Sequence, residues 1–200
     1  GQNIATNGTA NQSSTGFSGV ATRAIDGNTG GIYNNGSVTH TNTEAAPWWN
    51  LDLGSNRDID TITVWNRTDC CSDRLDNFYL FTSATPFPNT GNNSADLTTI
   101  LNDPNAFKYQ HAGSVGASTS VPVVETDRYV RIQLPVGNGI LSLAEVQVDS
   151  CLPGIEAAKS IDVYDPANTG LYALPGNDVI YTITVSNSGS GAADADTIKI

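Results

Sequence analysis

"RYVRIQLP", Arg128 to Pro135, decides the fold class. Val130, Ile132 and Leu134 fall on one side of an extended chain, with Arg131 and Gln133 on the other. That two-residue period marks a strand with one face in a core. The same alternation runs through "LAEVQVD", where Ala144, Val146 and Val148 oppose Glu145 and Gln147. "IDTITVWN", "WWNLDLG" and "NFYLFTS" supply further short strands. Between them lie "DGNTGGIYNNGS" and "SATPFPNTGNNSADL", rich in residues that favour turns. No segment keeps a helical period over a useful length. The chain is therefore expected to be all-β, a β-sandwich with long loops at its ends, where binding residues gather.

Composition agrees with this class and excludes several functions. Hydrophobic residues make up 38% of the 200, enough for packed cores, and only 14% are charged. The length allows one domain of ordinary size plus part of another. A formal net charge of −11 argues against a nucleic-acid partner, because phosphate contacts want a basic face. It equally disfavours anionic lipid and suits an extracellular protein, including one that holds calcium. No apolar run approaches the ~18 residues of a membrane span, so no membrane insertion is expected. "GQNIATNG" reads as a mature or artificially cut N-terminus without a signal peptide. All six arginines precede residue 150, and two of them, Arg67 and Arg74, flank a pair of adjacent cysteines.

Those cysteines lie in "NRTDCCSDR", Asn66 to Arg74. Three cysteines cannot all pair within one chain. Cys70 and Cys71 are read as a pair with each other, which leaves Cys151 odd, as a buried thiol or an intermolecular bridge. A bridge between neighbours closes almost no loop and adds almost no chain-entropy stability. Its persistence implies an oxidising compartment, hence secretion. Placed between two guanidinium groups, it asks for a role other than stapling.

"SCLPGIEAAKS", 150–160, marks a boundary, with a linker expected over 151–160. Beyond it, Val179, Tyr181, Ile183 and Val185 alternate with Ile180, Thr182 and Thr184. Residues 161–200 resemble the start of an immunoglobulin-like repeat of bacterial surface proteins. Some forty residues are too few to close such a sandwich alone, so a truncated, partial β segment is expected. Strand exchange with a neighbour, giving a homo-oligomer or an adhesive filament that displays the first domain, is the alternative.

The first 150 residues carry a second resemblance. "AIDGN", "GSVTHT", "PWWNLDLG", "NRTDCCSDR" and a late "LAEVQV" together resemble the fucose-binding F-type lectins, a family with a jelly-roll β-sandwich of the galactose-binding-like, discoidin-related kind. The family signature is a histidine, twenty-six residues, R-x-D, then four residues to a basic side chain. Here His40 is followed at those spacings by Arg67, Asp69 and Arg74. The match covers nearly all of residues 2–149.

The resemblance implies a site for terminal α-L-fucose on glycans. Arg67 and Arg74 bring planar, permanently charged donor forks, and His40 a single directional nitrogen. Each charge-assisted hydrogen bond is worth ~1.5–3 kcal/mol where water is excluded. Asp69 is expected to orient the guanidinium groups without touching sugar. The Cys70–Cys71 bridge is expected to pack against the sugar ring as a flat sulfur surface. Phe17 and Tyr33 are the candidates for the corner that receives the methyl group; otherwise both merely cap the sandwich. His111 has no such company and is left as a surface residue.

Calcium is the second implication. The matching positions are Asp26, Asn28 and Ser37 in the first loops and Glu145 in "LAEVQV", with backbone oxygens of Arg23 and Ala144 completing a set of hard ligands. Val38 and Ala144 stand where some members carry a bridging cysteine pair, so the metal must pin these loops with less help. Sequons at Asn35 and Asn66 fall inside the site, where a glycan would block it. Together with the tail, this suggests a bacterial source and a cell-surface or secreted location.

No pair of carboxylates accompanies the fucose residues as a glycoside hydrolase would need, so no catalysis is expected. The partners are fucosylated glycans, bound with micromolar to millimolar affinity, roughly −8 to −4 kcal/mol. Avidity would come from several copies in oligomers or tandem domains.

Overall fold

The alternating stretches become the long strands of a jelly-roll β-sandwich. The computed structural model describes residues 1–150, 155–163 and 179–187. In chain order the strands of the first compact unit, Gly1–Ser150, are β1 (Gln2–Asn3), β2 (Thr9–Gln12), β3 (Glu44–Ala45), β4 (Trp48–Asn66), β5 (Tyr79–Ser83), β6 (Phe107–Gln110), β7 (Ser118–Gln133), β8 (Asn138–Gly139) and β9 (Leu143–Ser150). All their pairings are antiparallel.

β4 and β7 are long because each serves both layers. Residues 48–52 of β4 lie between β2 and residues 129–133 of β7, which pair in turn with β5 and then β6. Residues 59–65 of β4 lie between β9 and residues 118–125 of β7, and β9 takes β1 on its far edge. The two halves of β4 meet at a register shift between Asp52 and Arg57, where Gly54 has φ +83. A second shift between Ile59 and Thr61 faces Val124, a non-glycine residue at φ +54. Bulges of this kind increase local twist and turn a flat ladder into a folded one.

Between the layers sit Trp49, Leu51, Ile59, Ile62, Val64, Leu80, Val130, Ile132, Val146 and Val148, all at most 1% exposed. The indole Nε1 of Trp49 donates to the Ala21 carbonyl at 3.0 Å, tying the core to the 3-10 turn Ala21–Ile25.

The outward face of 128–135 is not solvated, as alternation alone would have it. Arg131 and Gln133 are both 0% exposed. They lie under a second, smaller cluster built from Ala46, Phe81, Leu97, Ile100 and Ala106. Part of that cover is α1 (Asn93–Asn102), a helix where only loop was expected. Asn92 caps it by accepting from the Ala95 N–H at 3.1 Å, and Leu97 and Ile100, three apart, supply its buried stripe. Ten residues in a Gly/Asn-rich stretch are too short to show a period.

The second unit, Cys151–Ile200, contains β10 (Ile155–Val163) and β11 (Val179–Asn187), an antiparallel pair from Ile155 opposite Asn187 to Val163 opposite Val179. Most of the stretch expected as linker, 151–160, is thus strand from Ile155 onward, held by backbone pairing with β11. Cys151 and the completeness of the immunoglobulin-like segment lie outside the described residues. No described helix is long and apolar enough to cross a membrane.

Candidate functional site

The C-terminal end of β4 delivers Asn66 and Arg67 to one end of the sandwich. Asn66 is 1% exposed, and its side-chain NH2 donates to the carbonyls of Ser72, Val115 and Gly116 at 3.0, 3.1 and 3.3 Å. This clasp gathers the loop 66–72 onto the fold. It also takes the Asn66 amide out of reach of glycosylation, whereas Asn35 is exposed.

Asp69 orients Arg67. The Arg67 Nε donates to its Oδ1 at 2.6 Å and Nη2 to its Oδ2 at 3.3 Å, a bidentate fork. The same carboxylate accepts from the Tyr33 N–H at 3.2 Å and the Cys70 N–H at 3.0 Å. Arg67's hydrogen bond, foremost, holds the Asp69 carboxyl below the usual carboxylate range. Among the described residues Asp69 does not bond Arg74, so it orients one guanidinium and not both.

Arg74 is set by His40. Its Nη1 lies 3.1 Å from His40 Nε2, and His40 Nδ1 lies 2.7 Å from the Thr41 carbonyl. A carbonyl only accepts, so Nδ1 carries the proton and Nε2 is left as an acceptor facing a cation. Burial, then the charges of Arg74 and Arg67, lower the His40 pKa against the opposing pull of the Thr41 carbonyl. His40 is therefore neutral at neutral pH. Burial likewise lowers the Arg74 pKa, with repulsion from Arg67 adding to it. The two guanidiniums thus share one small region with a neutral imidazole.

Close backbone approach makes room for that imidazole. A Cβ on Gly19 would come within 2.6 Å of both the Cβ and the backbone N of His40, and one on Gly16 within 3.0 Å of Nδ1. The two aromatic candidates flank the same ring edge-on. Phe17 is 5.1 Å from His40 between centroids and 82% exposed, and Tyr33 is 5.8 Å away. The Tyr33 hydroxyl donates to the Phe17 carbonyl, and the Arg67 guanidinium sits over the Tyr33 ring at 4.8 Å. Phe17 at φ 50 and Ser18 at φ 61 are both left-handed, which is costly for non-glycine residues. Phe17 does not cap the sandwich: it stands in solvent over the histidine.

Cys70 and Cys71 are bonded to each other, with Cα atoms 3.8 Å apart and Cys71 at φ 57. The bridge lies in the loop between Arg67 and Arg74. His40, Arg67, Asp69, Cys70, Cys71, Arg74, Phe17 and Tyr33 thus form one connected cluster. His111 stands apart, stacked on Phe78 at 5.4 Å.

A second cluster underlies the first. Glu145 sits on the outward face of β9 yet is 0% exposed, with the backbone of Gly27 against it. Its Oε1 accepts from the Gly27 N–H at 3.0 Å, while Oε2 is buried without a hydrogen-bond partner. Burial, with a contribution from the Asp26 charge, pushes its pKa up to about 7. Nearby, Asp26 accepts from the Asn28 N–H at 2.9 Å, Asn28 from the Gly30 N–H at 3.0 Å, and the Ser37 hydroxyl donates to the Gly30 and Ile32 carbonyls. The Arg23 guanidinium donates to the Val38 carbonyl at 3.0 Å, and its backbone belongs to the Ala21–Ile25 turn. A buried, unpaired carboxylate oxygen beside a second carboxylate, amide and hydroxyl oxygens fits a hard divalent cation. The described residues hold no group of three or more His, Cys, Asp or Glu in metal-binding proximity.

Three residues that support this cluster were not singled out as such from the sequence. Asn66 entered only as a sequon, and Gly16 and Gly19 not at all, because what marks them is a close approach across the fold.

Comparison with known proteins bears on this geometry. Residues 23–132 match the model of the NedA-like, galactose-binding domain of the F5/F8 type C group. Fucolectin-5 of Anguilla japonica is 32% identical over 158 residues, covering 76% of this chain and 78% of that protein. Fucolectin-6 of the same species is 32% identical over 137 residues, 66% of this chain and 64%, just under two thirds, of that protein. Among solved structures, the lectin domain of lectinolysin complexed with Lewis B antigen is 33% identical, covers 74% of this chain and 96% of that one, and has a TM-score of 0.62.

Proposed function

Because the chain belongs to the fucolectin family of galactose-binding-like domains, we propose that its first 150 residues bind terminal α-L-fucose on extracellular glycans and do no chemistry on them. The observation that carries this reading is the convergence of Arg67, Arg74 and the Nε2 of His40 beside the Cys70–Cys71 bridge.

The residues divide the work by polarity. When sugar binds, Nε2 of His40 exchanges the Arg74 N–H it now accepts for a sugar hydroxyl, and the N–H groups of Arg67 and Arg74, including the one so released, donate to the lone pairs of that hydroxyl, its neighbour and the ring oxygen. This pattern requires a neutral imidazole, which burial and the two arginines favour. Asp69 fixes the Arg67 fork before ligand arrives, so little side-chain entropy is lost on binding. The bridge offers an apolar surface to one face of the ring. Phe17, exposed over His40, supplies an apolar wall for the methyl group.

Glu145, Asp26, Asn28 and Ser37, with the carbonyls of Arg23 and Ala144, would hold a calcium ion under these loops. When bound, it supplies the counter-charge that the Glu145 Oε2 lacks. The non-catalytic reading is supported by the commitment of Asp69 to Arg67 and to two backbone N–H groups. A single shallow site gives affinity in the micromolar to millimolar range, and useful avidity requires several copies. Secretion, and display at a bacterial surface, are part of the same proposal.

Titration calorimetry with L-fucose tests it. The unaltered chain should bind, and Arg67→Ala and Arg74→Ala should each weaken binding by at least tenfold, about 1.4 kcal/mol, while remaining folded. Undiminished binding in both variants overturns the assignment.

A further inference from the structure

The outward face of the sheet carries a cleft of about 310 Å³, at the low end of the ~300–1,000 Å³ typical of small-molecule sites. It is formed by the first half of β4, away from the Arg67 end. Thr9 and Asn11 of β2 pair with Asp52 and Asn50 of β4, and Asp52 and Asn50 pair with Tyr129 and Arg131 of β7. These residues share one face, so the floor presents Asn11, Asn50 and Tyr129, while the loop 86–89 forms a wall with Phe87 and Asn89.

The cleft is built rather than incidental. Behind it lies Arg131, 0% exposed, its guanidinium over Trp48 at 4.7 Å and over Phe87 at 5.2 Å. Its Nε donates to Asn50 Oδ1 at 2.7 Å and Nη2 to the Pro88 carbonyl at 3.0 Å, while Nη1 is buried without a hydrogen-bond partner. One buried cation thus fixes both the floor amide and the wall. With its oxygen committed to Arg131, Asn50 keeps its NH2 as a donor for whatever enters.

The lining also defines the ligand's chemistry. Asp52 is held by Arg128 through two hydrogen bonds, at 2.7 and 2.9 Å, so the rim carries no free charge of either sign. What remains is uncharged: the amides of Asn11 and Asn89, each pairing donor with acceptor, the donor NH2 of Asn50, and two aromatic rings. Amides match neighbouring hydroxyls, and aromatic faces match apolar C–H surface. We propose that this cleft is a second saccharide subsite that takes a neutral pyranose residue, independent of the fucose site. A chain with two separated sugar sites would hold two residues of one glycan, or bridge two glycans.

The test is amide chemical-shift mapping of the full chain with L-fucose saturating. The probes are the methyl glycosides of D-galactose, D-glucose, D-mannose and N-acetyl-D-glucosamine, each at up to about 50 mM, enough to detect millimolar binding. At least one should shift the amides of Asn11, Asn50, Phe87 and Tyr129 saturably. Asn11→Ala and Asn89→Ala, both at exposed positions, should weaken that response several-fold and leave L-fucose affinity unchanged. Arg67→Ala should do the reverse, so that failure of one site is separable from failure of the other. No saturable shift in the cleft with any probe, or shifts untouched by both asparagine variants, overturns the proposal.

Discussion

Arg74 Nη1 lies 3.1 Å from His40 Nε2, so a cation donates to an imidazole nitrogen that cannot be protonated without losing this bond. The far nitrogen is anchored on the Thr41 carbonyl at 2.7 Å, and the ring is 5% exposed. A histidine in this arrangement is an acceptor by construction.

Fucose affinity should accordingly be flat above the ordinary histidine pKa of about 6.5 and fall only as pH drops through the lower value that His40 has in the folded chain. The folded pKa of His40 is lowered, so the unfolded chain takes up the proton first. Its contribution to stability is present above the unfolded value and is lost as pH falls toward the folded one. Calorimetric titrations with L-fucose from about pH 8 down to about pH 5 read both binding and sign. His40→Gln should bind weakly at every pH and lose the acid-side decline, and affinity that rises on acidification contradicts the tautomer.

Glu145 predicts the opposite slope for the metal-free chain. Its folded pKa is raised to about 7 from 4.5, so deprotonation burdens the folded state as pH rises through that window. The loss is on the order of 3 kcal/mol when no cation answers the charge. Calcium should therefore raise the melting temperature more at about pH 7.5 than at about pH 5, and a chelator should remove the gain. Glu145→Gln should melt higher than the metal-free chain at neutral pH and respond weakly to calcium. A melting temperature indifferent to calcium at both pH values removes the metal from the account.

Gly19→Ala should displace His40, because the new Cβ would lie 2.6 Å from the histidine's Cβ and backbone N. Gly116→Ala, where a Cβ meets nothing within 4 Å, is the matched control. The first should lose at least ~tenfold in fucose affinity, about 1.4 kcal/mol, and the second should lose none. Equal behaviour of the two would show that His40 has more room than its backbone neighbours imply.

How much of this was legible depended on the range of each interaction. The alternation of Val130, Ile132 and Leu134 gave the strands because that signal is local, whereas His40, Arg67, Asp69 and Arg74 were singled out by resemblance to the F-type lectin signature and are brought together only by the fold. Burial of Arg131 and Gln133 was not legible, since their cover comes from a ten-residue helix whose apolar stripe is only Leu97 and Ile100. The clasp of Asn66 on Val115 and Gly116 spans some fifty residues and leaves no periodic trace. By strand period Glu145 lies opposite the core-facing residues of its strand, and its full burial with one carboxylate oxygen unpaired left no trace in the sequence.

The Cys70–Cys71 bridge should matter for binding and hardly at all for stability. Joining neighbours closes almost no loop, so Cys70→Ser/Cys71→Ser should shift the melting temperature by no more than about 3 °C, roughly 1 kcal/mol. Fucose affinity should fall by roughly tenfold as the apolar surface under the sugar is lost. A large melting shift with unchanged affinity would make the bridge a staple.

The most direct measurement is a crystal of the chain soaked in L-fucose. Density for the sugar should lie against the sulfurs of Cys70 and Cys71, with a hydroxyl in reach of His40 Nε2 and of both guanidiniums, and the methyl group toward Phe17. Fucose seated only at another surface, or Cys70 and Cys71 found reduced and apart beneath a bound sugar, would contradict it.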